Sequence, residues 1–100
     1  MKVMLVEDLK DIKDPSRTSK KAEAQVKISE LYPNEHIEYV SQWEGGLDGS
    51  ILSRMSRTIS TIEECDLIVF LKGWHACRYS RFIEQLASFN NVKICRYFDL

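Results

Sequence analysis

Lys72, His75, Arg78 and Arg81 crowd into a single ten-residue stretch of the chain. They follow an apolar run, Leu67-Ile68-Val69-Phe70-Leu71, and precede a segment of helical pattern that Ser80 can cap. Gly73 breaks the run, and Trp74 after it can stack on a base, as can Trp43 or Tyr79. A helix start offers amide donors without intrahelical acceptors together with a partial positive charge, which favours an anion. Arginine adds a planar fork suited to phosphate or carboxylate. The chemistry this pattern points to is non-covalent capture of a phosphate-bearing small molecule. The alternative is solvated surface charge around a tryptophan that plugs the core.

Other reactive groups are sparser. Glu7-Asp8 follows the first apolar run, and Glu84 is the acid of the last helical segment; Glu84 and Glu7 are the candidate catalytic carboxylates. His75-Ala76-Cys77 could supply two metal ligands, but nothing at suitable spacing supplies the rest, so neither a metal nor another cofactor is expected. Cys77 lies among arginines that would favour a thiolate, yet no base pattern flanks it. Cys65 and Cys95 read as small buried residues, and His36 as an exposed residue at a strand start. Glu7-Asp8 also resembles the opening of a response-regulator receiver domain, but Leu71-Lys72 stands where that family needs its phospho-accepting Asp.

The elements that must position these groups alternate. A β-rich run over Lys2–Val6 opens the chain, and Asp14-Pro15 reads as a helix cap followed by proline in the first turn. A helix over about 15–32 would bury Ala22, Val26 and Leu31 and end at Tyr32-Pro33-Asn34. Residues 36–40 alternate, Ile37 and Tyr39 against His36 and Glu38, as in an edge strand. Residues 42–50 form a breaker-rich loop. In the next helix Ile51, Met55, Ile59 and Ile62, with Leu52, recur at helical spacing, capped by Ser50 or Asp48. The run from Leu67 has no alternation, as expected of a central parallel strand covered on both faces. A third helix reaches about Phe89, Asn90-Asn91 closes it, and a last strand spans 92–98.

The order β-α-β-α-β-α-β predicts one α/β domain over 1–100. Its sheet is small, doubly wound and mostly parallel, with strand order 2-1-3-4 and helices on both faces, a flavodoxin-like three-layer arrangement. Such a sheet binds ligands beyond the carboxyl ends of its strands, where the strand order reverses. That places the candidate ligand-binding residues at Glu7, Asp8, Trp43, Lys72, Gly73, Trp74, His75, Arg78, Ser80 and Arg81.

Composition narrows the classes. The chain has 100 residues, 44% hydrophobic and 29% charged, the balance of a globular domain rather than a disordered one. Fourteen Lys and Arg against 15 Asp and Glu give a net charge of −1. A nucleic-acid polymer held by phosphate contacts would call for a more basic chain, so none is expected as partner. No apolar run approaches the length of a membrane span, and no secretory leader is expected. Three widely spaced cysteines form neither a disulfide framework nor a zinc pattern, which suits a reducing cytoplasm.

The segment from Cys65 to Trp74, followed by residues 78–87, resembles a group of small proteins related to nucleoside 2-deoxyribosyltransferases. Members carry an acidic residue entering an apolar strand, then Gly-Trp, a short loop with Gly, a small residue and Arg, and a helix that begins with the catalytic Glu. Asp66, Gly73, Trp74, Ser80, Arg81 and Ala87 sit at matching positions. The resemblance implies a flavodoxin-like fold, often oligomeric, holding a nucleoside or nucleoside monophosphate. Active relatives cleave its N-glycosidic bond with the Glu as nucleophile. Here that position falls on Ile83 and Glu84 comes one residue late; Tyr79 replaces the loop Gly, and Glu7-Asp8-Leu9 replaces a Gly-Pro after the first strand. Phe82, Ile83, Leu86 and Phe89 would share one helix face and turn Glu84 outward.

Three functions follow as expectations. The first is binding, or sequestration, of a nucleotide or nucleotide-derived molecule by a homo-oligomer without catalysis. The second is deoxyribosyl transfer or N-glycosidic hydrolysis through Glu84. The third is a protein-interaction module or inhibitor anchored by Trp43 or Trp74.

Overall fold

A computed structural model describes residues 1–7, 17–42 and 49–96. Four strands, β1 (Lys2–Val6), β2 (Glu38–Ser41), β3 (Leu67–Phe70) and β4 (Ile94–Arg96), alternate with helices α1 (Arg17–Leu31), α2 (Ile51–Glu64) and α3 (Arg78–Phe89). All pairings are parallel, in the order β2-β1-β3-β4. The strand order and the doubly wound α/β class are those expected from the residue pattern. β2 and β4 form the edges, and the chain reverses direction across the sheet between β1 and β3.

Two apolar layers flank the sheet. Val3 and Leu5 of β1 with Leu67, Val69 and Leu71 pack on one side against Ala24 and Ile28 of α1. Met4, Val6, Ile68 and Phe70 pack on the other against Ile62, Cys65, Tyr79, Ile83 and Ala87 from the α2 and α3 side. The period-two alternation of a strand explains the split, and burial of both faces explains why the central strands are apolar from Val3 to Val6 and from Leu67 to Phe70.

Several helix faces differ from expectation. α1 buries Ala24 and Ile28, whereas Val26 and Leu31 stay more than half exposed and Ala22 is exposed. Its residues are mostly polar, so two small contacts decide its orientation where no apolar stripe does. The expected cap at Asp14-Pro15 lies outside the described residues. α2 buries Thr58, Thr61 and Ile62, with Cys65 buried just past its end, leaving Ile59 and Leu52 exposed. Thr58 and Thr61 can face the core because their hydroxyls donate to the carbonyls of Arg54 (3.0 Å) and Arg57 (2.9 Å) one turn back. α3 buries Tyr79, Ser80, Ile83 and Ala87, and Phe89 is 88% exposed.

The termini of the helices follow local chemistry. Ser50 caps α2, its hydroxyl accepting from the Ser53 amide at 3.1 Å. α3 closes at Asn90, with Asn91 in the left-handed region at φ 59°. Ser80 does not cap α3: the helix starts at Arg78 behind Cys77, which makes no side-chain cap bond.

Candidate ligand-binding site

In a parallel α/β sheet each helix begins at the carboxyl end of the strand before it, so the starts of α2 and α3 stand on the same rim as the ends of β1 and β3. Glu7 follows the last residue of β1 there, where the strand order reverses, and it is 3% exposed. Its main chain is held by three hydrogen bonds from two side chains. The Glu7 amide donates to Gln42 Oε1 at 2.7 Å, Gln42 Nε2 donates to the Glu7 carbonyl at 3.2 Å, and the Ser80 hydroxyl donates to the same carbonyl at 2.9 Å. The hydroxyl expected to cap α3 therefore ties the first turn of α3 to the end of β1. The Glu7 carboxylate lies 3.5 Å from the Lys21 ammonium of α1, and this pair offsets part of the cost of burying the charge.

A second set of bonds extends the network to α2. The Thr58 hydroxyl donates toward the carbonyls of Gln42 (3.1 Å) and Arg54, and with its proton so used it accepts from the Tyr79 hydroxyl in a short bond. Gln42, Thr58, Tyr79 and Ser80 are all buried, so the network joins the ends of β1 and β2 to α2 and α3 through satisfied polar groups.

The basic residues sit around this core. Lys72, His75, Arg78 and Arg81 are all exposed. Gly73 takes φ 93°, a left-handed conformation that turns the chain out of β3 into a short 3₁₀ turn over Trp74–Ala76. Trp74 is half-buried, its ring centroid 4.8 Å from that of Phe70, and the His75 ring stands edge-on 6.1 Å away. Trp74 thus belongs to the core margin, as the plug alternative expected. Asp8 and Trp43 lie outside the described residues.

Glu84 is not turned into water. The buried side of α3 is centred between Ser80, Ile83 and Ala87, which puts Glu84 on the flank, about 80° away at helical spacing. Its carboxylate is 3.2 Å from the Arg96 guanidinium of β4 and accepts from Ser88 at 3.3 Å, while Arg96 in turn lies over the Trp74 ring. Asp66 stands at the opposite, amino end of the sheet, where its carboxylate accepts from the Lys2 amide at 2.8 Å.

Two arginines of α2 were not singled out from the sequence. Arg54 and Arg57 are half-buried in its first two turns, and Arg57 donates to Ser53 Oγ at 3.4 Å. The signal that finds Arg54 is registration: it shares the inner side of α2 with residues 58 and 61.

None of the three cysteines is bridged. Burial, reinforced by the neighbouring Asp66 and Glu64 charges, pushes the Cys65 thiol up to about 11. Among the described residues no group of three or more His, Cys, Asp or Glu could hold a metal ion. A groove of about 320 Å³ opens between α2 and α3, lined by Ile59, Ile62, Glu63, Leu86, Asn90 and Val92. It lies toward the carboxyl ends of these helices, away from the rim, and lacks basic groups. No helix among the described residues is long and apolar enough to cross a membrane. No family model matches the chain, and no curated protein matches it.

Proposed function

We propose that this protein binds a nucleotide or nucleotide-derived small molecule at the carboxyl rim of its sheet and does not turn it over. The observation that carries the reading is Glu7: a carboxylate buried where the strand order reverses, bonded through its own carbonyl to the first turn of α3. Its carboxylate is paired with Lys21 and fixes the rim, while the exposed Lys72, Arg78 and Arg81, between the end of β3 and the first turn of α3, suit phosphate oxygens. Sequestration of a nucleotide second messenger is one form of this activity. The resemblance to nucleoside 2-deoxyribosyltransferases supports the ligand class, and the hold of Arg96 and Ser88 on Glu84 supports the absence of turnover. A homo-oligomer is part of the reading, with Leu52, Ile59 and Phe89 as exposed apolar surface for contact.

A thermal-shift screen of nucleosides, nucleotides and cyclic nucleotides tests the binding. Phosphorylated ligands should raise the melting temperature of the wild type, and less so that of Arg81→Ala. If no phosphorylated ligand stabilises the protein, the reading fails. For turnover, Glu84→Gln should leave base release from deoxynucleosides at the wild-type background; loss of a measurable wild-type rate would establish the transferase instead.

A further inference from the structure

The outer sides of α2 and α3 carry two stripes that flank one groove. At about 100° per residue, Leu52, Ile59 and Glu63 fall within about 40° of one another on α2, and Arg78, Phe82 and Phe89 within about 40° on α3. Ile59 and Glu63 line the groove of about 320 Å³ from one side. Leu86 and Asn90, one turn before Phe89 and one residue after it, line it from the other. Leu52 is 74% exposed, Ile59 39% and Phe89 88%, so a single chain leaves this apolar surface in water.

The charges at the two ends of the patch are misplaced for an isolated chain. A helix carries partial positive charge at its start and partial negative charge at its end. Glu63 is exposed in the last turn of α2, and Arg78 is exposed at the first position of α3, each at the pole of its own sign. Neither helix has an acid in its first turn or a base in its last to compensate. Glu63 and Arg78 form no ion pair among the described residues. Both helices run from the carboxyl rim of the sheet toward its amino end, so roughly three helical turns separate the two charges within one chain.

We infer that this face joins two copies of the chain about a two-fold axis, burying Ile59, Phe89 and the groove and setting Glu63 of each copy against Arg78 of the other. A two-fold interface uses the same patch on both subunits, so that patch must carry both members of every contact. An acid at one end and a base at the other meet this condition, and the pair forms twice in each dimer. Each pair also brings charge of the favourable sign to a helix end. Phe89 supplies the large aromatic anchor typical of an interface centre. The inference rests on the homo-oligomer of the reading above and gives it an interface. Arg81, about 60° round α3 from Arg78, points away from the patch and stays with the rim ligand.

Sedimentation velocity of the intact protein over a concentration series tests this. The wild type should sediment as a dimer, at twice the 11.7 kDa of one chain. Phe89→Ser alters a side chain that lies in water in the single chain, so the fold persists, and it should weaken dimerisation about thirtyfold or more. Glu63→Arg and Arg78→Glu should each be monomeric alone, because both contacts become like-charged. Mixed in equal amounts they should form a heterodimer, since each contact then joins an acid to a base; a misfolded variant cannot give that result. A wild type that stays monomeric to its solubility limit overturns the inference, whether or not another protein takes the groove. A dimer indifferent to Phe89→Ser, or charge variants that do not recover on mixing, also overturns it and moves the homo-oligomer to another face. A dimer that passes these tests but is stabilised by no nucleotide upholds the interface and removes the rim ligand.

Discussion

Gln42 shows how much one side chain holds at this rim. Its amide satisfies both the N–H and the carbonyl of Glu7, and it is 2% exposed. Gln42→Leu leaves the buried Glu7 amide without that acceptor and should cost about 1–3 kcal/mol in urea unfolding. Ser80→Ala removes one of two donors to the Glu7 carbonyl and should cost about 1 kcal/mol. Cys65 has a different signature. Because its folded thiol is pushed up to about 11, above the usual 9.0, the unfolded chain releases that proton first as pH rises. Its contribution is therefore intact below pH 9 and lost between about pH 9 and 11, the sign expected when the folded state binds more protons. Unfolding followed over that range should show stability falling in the wild type and falling less steeply in Cys65→Ala. At this scale the sequence was least legible. Gln42 reads as the first residue of a loop and Ser80 as a cap, because none of the bonds that define them is local.

The elements were legible in proportion to how strongly their patterns are one-sided. β3, apolar throughout, and β1, apolar after Lys2, are central strands. β2, with its unequal faces, is an edge. α1 was misread in its buried side because its sequence has no apolar stripe, and the sheet chose Ala24 and Ile28 over the larger Val26 and Leu31. The consequence is a sharp contrast: Ile28→Ala should cost about 2–5 kcal/mol in chemical denaturation, whereas Val26→Ala should stay within about 0.5 kcal/mol of wild type. In α3 the aromatic Phe89 suggested a buried end, but Ser80 and Ala87 take the close approach to the sheet and rotate Phe89 into solvent. The turn between β3 and α3 depends on Gly73 at φ 93°. Gly73→Ala should destabilise by about 1–2 kcal/mol, since a Cβ there meets the left-handed penalty, and it should shift the Trp74 environment seen by fluorescence.

At the scale of the whole molecule, topology does more for function than any single motif. Right-handed crossovers force the starts of α2 and α3 onto the edge where β1 and β3 end, so residues far apart in sequence, 7, 42, 58 and 80, become neighbours in one hydrogen-bond network. The position of that rim was readable from the order of elements alone. Which side chains line it was only half readable: the run 72–81 contributes exposed charge, while the buried polar network comes from β1, the end of β2 and the inner side of α2. The central claim is that this rim, and not the apolar groove between the outer ends of α2 and α3, is where a phosphorylated ligand sits. Amide NMR of the protein titrated with a nucleoside monophosphate tests it most directly. The account predicts shifts centred on Glu7, Gln42, the turn after β3 and the first turn of α3; shifts centred instead on Ile59, Leu86 and Val92, or none at saturating ligand, would contradict it.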